Sequence, residues 1–400
     1  CTHPARAHKG YDHIDRGSGM RATRRRFVAA TAGLAALAGC SSESGSGDGD
    51  PSSGDDTPVG GDGGSTTIAE SRDDPDRSDA GPPTADERLP LPDEPAALRE
   101  AAVSGGPPKD GIPAIEDPQF VDADDADFLD PGDPVFGVAR DGAVKAYPQK
   151  ILVHHEICND HLGETPVAVT YCPLTGTAQG FERGETTFGV SGRLLNANLI
   201  MYDRATETWW PQLLATAIPG PWNDDPPIES LREFRLVWTT WERWRGQHPD
   251  TRVLSTETGH ARNYGRDPYG RYNPRGGYYA NDLTLFDPLH EDDRYDPKTV
   301  VLGSRTSDGA AAFHKERLRE AGTLRGEIGG SPVVAVYDER LDTGYAYRNP
   351  DERAVDLQDG DAQLDGETHS PAELPLEPVY TFDAMWFAWA GYYPETSVHA

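Results

Sequence analysis

From position 135 onward, apolar and polar residues alternate in short runs divided by turn residues. This period of two predicts strands at 135–139, 143–147, 167–171, 177–181, 187–191 and 199–202. In the third of these, Val167, Val169 and Tyr171 alternate with Ala168, Thr170 and Cys172, and Pro173 ends the run, the pattern of a buried strand. Helical signals are few. Pro148 suits a first turn, and Asn159, Asp160 and Gly163 are stop signals, so a short helix is predicted over 148–158. Ile151, His155 and Cys158 would share its inward face, with His154 at the rim. Thr239 and Glu242 have capping-box spacing ahead of Trp241 and Trp244, which predicts a second helix stopping at His248-Pro249.

Laid on itself, the chain shows an internal repeat. Gly137 matches Gly303, Ala146 matches Ala312, Leu152 matches Leu318, Pro166-Val167 match Pro332-Val333, Tyr171 matches Tyr337 and Thr177 matches Thr343, all 166 residues apart. Trp241, Trp244, Pro249 and Thr251 match Trp386, Trp389, Pro394 and Thr396, each 145 residues apart. The expected fold is therefore β-rich α+β, two related units about a pseudo-twofold, each with a short tryptophan-containing helix. The first unit is read as 135–256, a tyrosine-rich loop as 257–298 and the second unit as 299–400, within a folded domain of 111–400. The loop is either a lid or binding loop, or a surface loop with packed tyrosines. Opposite His154, His155, Glu156 and Cys172 stand Glu320, Ala321, Gly322 and Asp338, so the versatile side chains belong to the first unit only.

The N-terminal part has no such pattern. Residues 1–19 read as an untranslated extension and Met20 as the start. Arg24-Arg25 precede a short apolar run ending in Leu37-Ala38-Gly39-Cys40, so 20–40 reads as a twin-arginine lipoprotein signal with Cys40 as the lipidation site. Residues 41–110 are rich in Ser, Gly, Asp and Pro and read as a disordered acidic linker. The expected location is extracytoplasmic, with the membrane as partner through the lipid at Cys40. A net charge of -30 gives nucleic acid no basic footprint, and with lysine far rarer than arginine it matches a salt-loving habitat.

The stretches HHEICND, YCPLTGTA, FGVSGRLLNANLIMYDRATETWW, the tryptophan helix with HPDTRVLS, and WFAWAGYYPET resemble the family named domain of unknown function 3179, over roughly residues 112–400. The resemblance implies secreted or membrane-anchored proteins and no established activity. It implies that His155-Glu156, Asn159-Asp160, Cys172-Pro173-Leu174 and Tyr202-Asp203-Arg204 are family motif positions. Many members carry a second cysteine three places after the first, where this chain has Thr175.

Familiar catalytic motifs are absent. Asn159 stands where a helical zinc-protease motif needs histidine, Ser191 lies in an incomplete nucleophile elbow, and no glycine-rich phosphate loop occurs. Three readings of His155 and Cys172 stay open. They bind zinc or copper, with Met201 as a weak sulfur ligand for copper. Alternatively Cys172 is a nucleophile lowered in pKa by His155, with Glu156 or Asp203 orienting the imidazole and Arg204 holding an anionic substrate group. In the third, both are core residues, or Cys158 and Cys172 form a disulfide, and the chain is a small-molecule or protein binding module.

Overall fold

The computed structural model describes residues 80–400; the signal region, Cys40 and the linker up to residue 79 lie outside the described residues. The fold is β-rich, with several sheets and a few short helices. Among the described residues no helix is long and apolar enough to cross a membrane.

Two sheets make up most of the first half. One has the order Val237–Thr240, Pro134–Arg140, Ala143–Pro148, Arg252–Leu254, Phe120–Asp122; the other runs Glu233–Phe234, Thr177–Glu182, Thr165–Cys172, Ile157–Leu162. The second half holds a sheet ordered Thr381–Met385, Val300–Thr306, Gly309–His314, Ser397–His399. Beside it lies another, ordered Thr323–Ile328, Ser331–Asp338, Thr343–Arg348, Pro378–Val379. Registers correspond as well as orders. Gly137 pairs with Ala146 as Gly303 pairs with Ala312, and Arg252 pairs in parallel with Lys145 as Ser397 does with Ala311. Cys172 faces Thr177 as Asp338 faces Thr343.

The tryptophan helices, Trp241–Gln247 and Trp386–Tyr392, follow corresponding strands. Trp244 Nε1 donates to Thr251 Oγ1 at 3.0 Å, and Trp389 Nε1 donates to Thr396 Oγ1 at 3.0 Å. Each indole lies flat on a strand glycine, Gly137 or Gly303, where a Cβ would overlap the ring. The halves differ in what is inserted. The first adds a four-stranded sheet containing Phe188–Leu195 and Asn198–Asp203, whereas the second adds a three-stranded meander over Val355–Gln358, Asp361–Leu364 and Glu367–His369.

The predicted strands all form, most of them a residue or two longer. The helix expected over 148–158 does not. Only Gln149–Leu152 is helical, and Cys158 lies in the strand Ile157–Leu162, which pairs along Thr165–Cys172. Sheet pairing satisfies six residues of backbone at once and overrides a weak helical signal carried by β-branched residues. Cys158 and Cys172 are therefore free thiols on opposite faces of one sheet, in different core clusters, so the disulfide does not form. The capping box also fails: Thr240 is the N-cap of the second helix, without a side-chain cap bond, and Thr239 stays in the strand. Residues 80–110, expected in the linker, belong to the folded body. They supply the helix Pro95–Ala101, whose Leu98 is fully buried, and the strand Val103–Ser104 on the edge of Phe188–Leu195.

Candidate functional site

Cys172 ends its strand with the thiol in the core, 3.9 Å from the carbonyl oxygen of Ala197. Burial first and the nearby Glu156 second push this thiol up to about 11. Glu156 follows the shortened helix at a sharp turn. Its φ is 60°, a left-handed value costly for a residue with a side chain, and its carbonyl oxygen accepts from Tyr171 N at 2.8 Å. The side chain is 8% exposed, and burial alone pushes its carboxyl up to about 8. Among the described residues that carboxyl makes no hydrogen bond, and its oxygens are not among the unpartnered polar atoms shut off from solvent. Ala197 is strained in the same sense, at φ 58° beside Asn196 at 54°, in the two-residue turn joining Phe188–Leu195 to Asn198–Asp203. Two left-handed residues thus flank one thiol.

The tyrosine-rich loop closes over this centre. Tyr269 is raised by burial, then by Glu156 and Cys172; Tyr278 is raised by burial, then by Cys172, while donating to Leu174 O at 2.7 Å. Tyr279 meets Tyr171, Gln149 and Asp267 one layer further out. With thiol, carboxyl and phenols all protonated, the centre is neutral at pH 7.

His155 belongs to a different cluster. Its Nδ1 donates to Pro113 O at 2.8 Å, so the neutral ring presents Nε2 as acceptor to Tyr264 O–H at 2.7 Å; the His260 ring lies 5.4 Å away. Burial chiefly, with His260 and Arg262 adding to it, lowers the imidazole to about 4. His154 sits half-buried at the edge, against Arg266 O. Among the described residues His155 and Cys172 share no hydrogen-bond partner, and Glu156 is the charged neighbour that the thiol feels.

Asp203 closes its own turn, accepting from Thr206 N, Thr206 Oγ1 and Trp210 Nε1. Arg204 pairs with Asp110 and Glu116, and Glu116 also accepts from Asn159, so these motif positions lock one another. Met201 is buried in the same apolar core as Cys172. Among the described residues no group of three or more His, Cys, Asp or Glu surrounds a common point that could hold a metal.

Sequence reasoning missed the polar network behind the thiol. Thr175, Thr177, Asn198, Gln212 and Thr170 are buried and joined by hydrogen bonds of 2.7–3.0 Å, and Thr175 lies near enough to Cys172 to lower its thiol slightly against burial. Such a network holds its members rigid when every group is satisfied. The readable signal was the polar spacing in Thr175-Gly176-Thr177 and Asn196-Ala197-Asn198, too polar for a core and too regular for a loop.

A family model described as protein of unknown function (DUF3179) matches residues 109–396. No curated protein and no solved structure matches the chain.

Proposed function

The chain belongs to the DUF3179 family, which brings no assigned activity, and from its own residues we propose an exchangeable metal site at Cys172 and Glu156 on a lipid-anchored extracytoplasmic protein. One observation carries this reading: a nearly buried glutamate on a left-handed turn, its carboxyl without a hydrogen bond, beside a buried thiol. A desolvated polar group costs free energy until something pairs with it, and strain persists where function needs it. A divalent ion replacing the two protons would turn the neutral pair into a thiolate and a carboxylate of matching charge. Zinc and copper suit such a donor set, with water or substrate completing the coordination. Two protein ligands make for ready exchange. His155, engaged with Pro113 and Tyr264, orients the loop rather than the ion. An activated nucleophile draws no support from a thiol pushed up to about 11 with no imidazole in contact.

The twin-arginine and lipobox motifs support export and anchoring through Cys40. The corresponding strand orders and registers support descent of 135–256 and 299–400 from one duplicated unit, related by a pseudo-twofold. The acidic, lysine-poor surface supports a high-salt habitat. The site is tested by titrating zinc into tag-free protein while recording proton release. Binding should be absent in Cys172→Ser and Glu156→Gln, and Thr175→Cys, placing a thiol beside Cys172, should tighten it. Equal affinity in all four proteins would remove the proposal.

A further inference from the structure

The second feature lies apart from the thiol, in a cleft of about 450 Å³ between the two halves. Trp238 and Thr239 of the first half, Tyr272 and Arg275 of the tyrosine-rich loop, and Lys315 and Asp383 of the second half line it. Trp238 and Asp383 stand at corresponding places in the two sheets, opposite Phe136 in one and Leu302 in the other. The cleft therefore lies where the halves face each other.

Two nearly buried polar groups there lack partners. Asp383 is 7% exposed; its Oδ2 takes Lys315 Nζ, but Oδ1 receives no donor. Thr239 is 4% exposed and its hydroxyl has no partner, having been left over by the helix cap that Thr240 took. The same wall carries two rings packed on each other, Trp238, 9% exposed, and Tyr272, 4.7 Å apart and tilted by 39°. Arg275 is exposed at the mouth, 5.2 Å from the Tyr272 ring. It donates to Tyr272 Oη at 3.4 Å and Lys298 O at 3.1 Å, neither of which carries charge.

We propose that this cleft binds a small polyhydroxylated carboxylate, the chemistry of a uronic acid. The aromatic rings take the apolar C–H face of the sugar ring, as amphipathic rings do at binding sites. Ligand hydroxyls donate to Asp383 Oδ1 and exchange a hydrogen bond with Thr239 Oγ1, satisfying both orphans. The carboxylate meets Arg275, whose planar fork fits two carboxylate oxygens. A neutral sugar would leave that arginine unused.

The test is calorimetric titration of the purified chain with glucuronate, galacturonate and glucose. At least one uronate binds, and glucose binds about tenfold more weakly or not at all. Arg275→Gln, at an exposed position where folding is not at stake, weakens uronate by about tenfold without changing glucose. Thr239→Val, which removes the hydroxyl and keeps the shape, weakens both sugars. Saturating zinc leaves all isotherms unchanged, so failure here and failure of the metal site are separate results. No heat or NMR shift with either uronate, or uronate affinity untouched by Arg275→Gln and Thr239→Val, overturns the proposal.

Discussion

The two halves share strand order and register, and differ at the positions that matter for chemistry. At the turn after the short helix the first half places Glu156 at φ 60° and the second places Gly322 at φ 79°, and in both the carbonyl oxygen accepts the tyrosine amide, Tyr171 or Tyr337, at 2.8 Å. Glycine pays little for that conformation; glutamate does not escape the cost. At the strand end Cys172 stands against Asp338, which is also buried but lies 3.7 Å from the guanidinium of the more exposed Arg340. Tyr171 Oη meets Gln149 and Tyr279, whereas Tyr337 Oη donates to Asp342, which Arg319 also grips. At these corresponding positions the second half has ion pairs, although elsewhere it leaves buried polar atoms of Arg305, Tyr380 and Asp383 without partners. In the same frame the first half has a left-handed glutamate and a buried thiol.

The comparison breaks first if the frames are not equivalent. Trp244→Ala and Trp389→Ala should each cost about 3–5 kcal/mol, since each removes an indole packed on a strand glycine. Denaturant titration checks this, and a cost confined to one half would mean the halves are held together differently.

The next effect is electrostatic. Glu156 binds its proton more tightly folded, up to about 8, than unfolded. The folded chain therefore holds the extra proton between the ordinary carboxyl range and pH 8. Stability is full below that window and falls as pH rises through it. Glu156→Gln removes this loss, so the variant should gain on the order of a few kcal/mol over the parent at pH 9 and almost nothing at pH 4. Thermal unfolding across pH reads it; parallel profiles would show that the carboxyl is solvated or already paired.

Smaller still is the backbone term. Glu156→Gly should gain about 1 kcal/mol from relief of the left-handed strain, while Gly322→Ala should lose about 1 kcal/mol or more, because its Cβ meets Leu357 as well. Opposite signs at corresponding positions would sharpen the contrast. Equal signs would dissolve it.

The strands were legible because Val167, Val169 and Tyr171 alternate with a period that only a sheet satisfies. The recurrence of Gly137 and Trp244 as Gly303 and Trp389 was legible, and at both places a Cβ on the glycine would overlap the indole. The turn at Glu156 was not. A residue with φ 60° is held there by its surroundings, by Tyr171 N on its carbonyl and the strand that follows, and nothing local announces it. Reading 148–158 as a helix put His155 inward toward Cys172 and Glu156 aside; the break after Leu152 sends His155 to Pro113 and Tyr264 and leaves Glu156 beside the thiol. Cys172 and Glu156 were both candidates from sequence, but Glu156 was expected at the pocket edge rather than as the neighbour of the thiol. The folded segment 80–110 was hidden because its composition is that of a linker while a single buried Leu98 anchors its helix.

The central claim is that Cys172 and Glu156 hold an ion together. The direct measurement is elemental analysis of tag-free protein equilibrated with zinc or copper at pH 8.5, beside Cys172→Ser and Glu156→Gln prepared identically. The account predicts a stoichiometric ion in the parent chain that both substitutions abolish and that acidification to pH 6 releases as the carboxyl and thiol regain their protons. An ion retained in Glu156→Gln, or none in the parent chain at saturating metal, would contradict it.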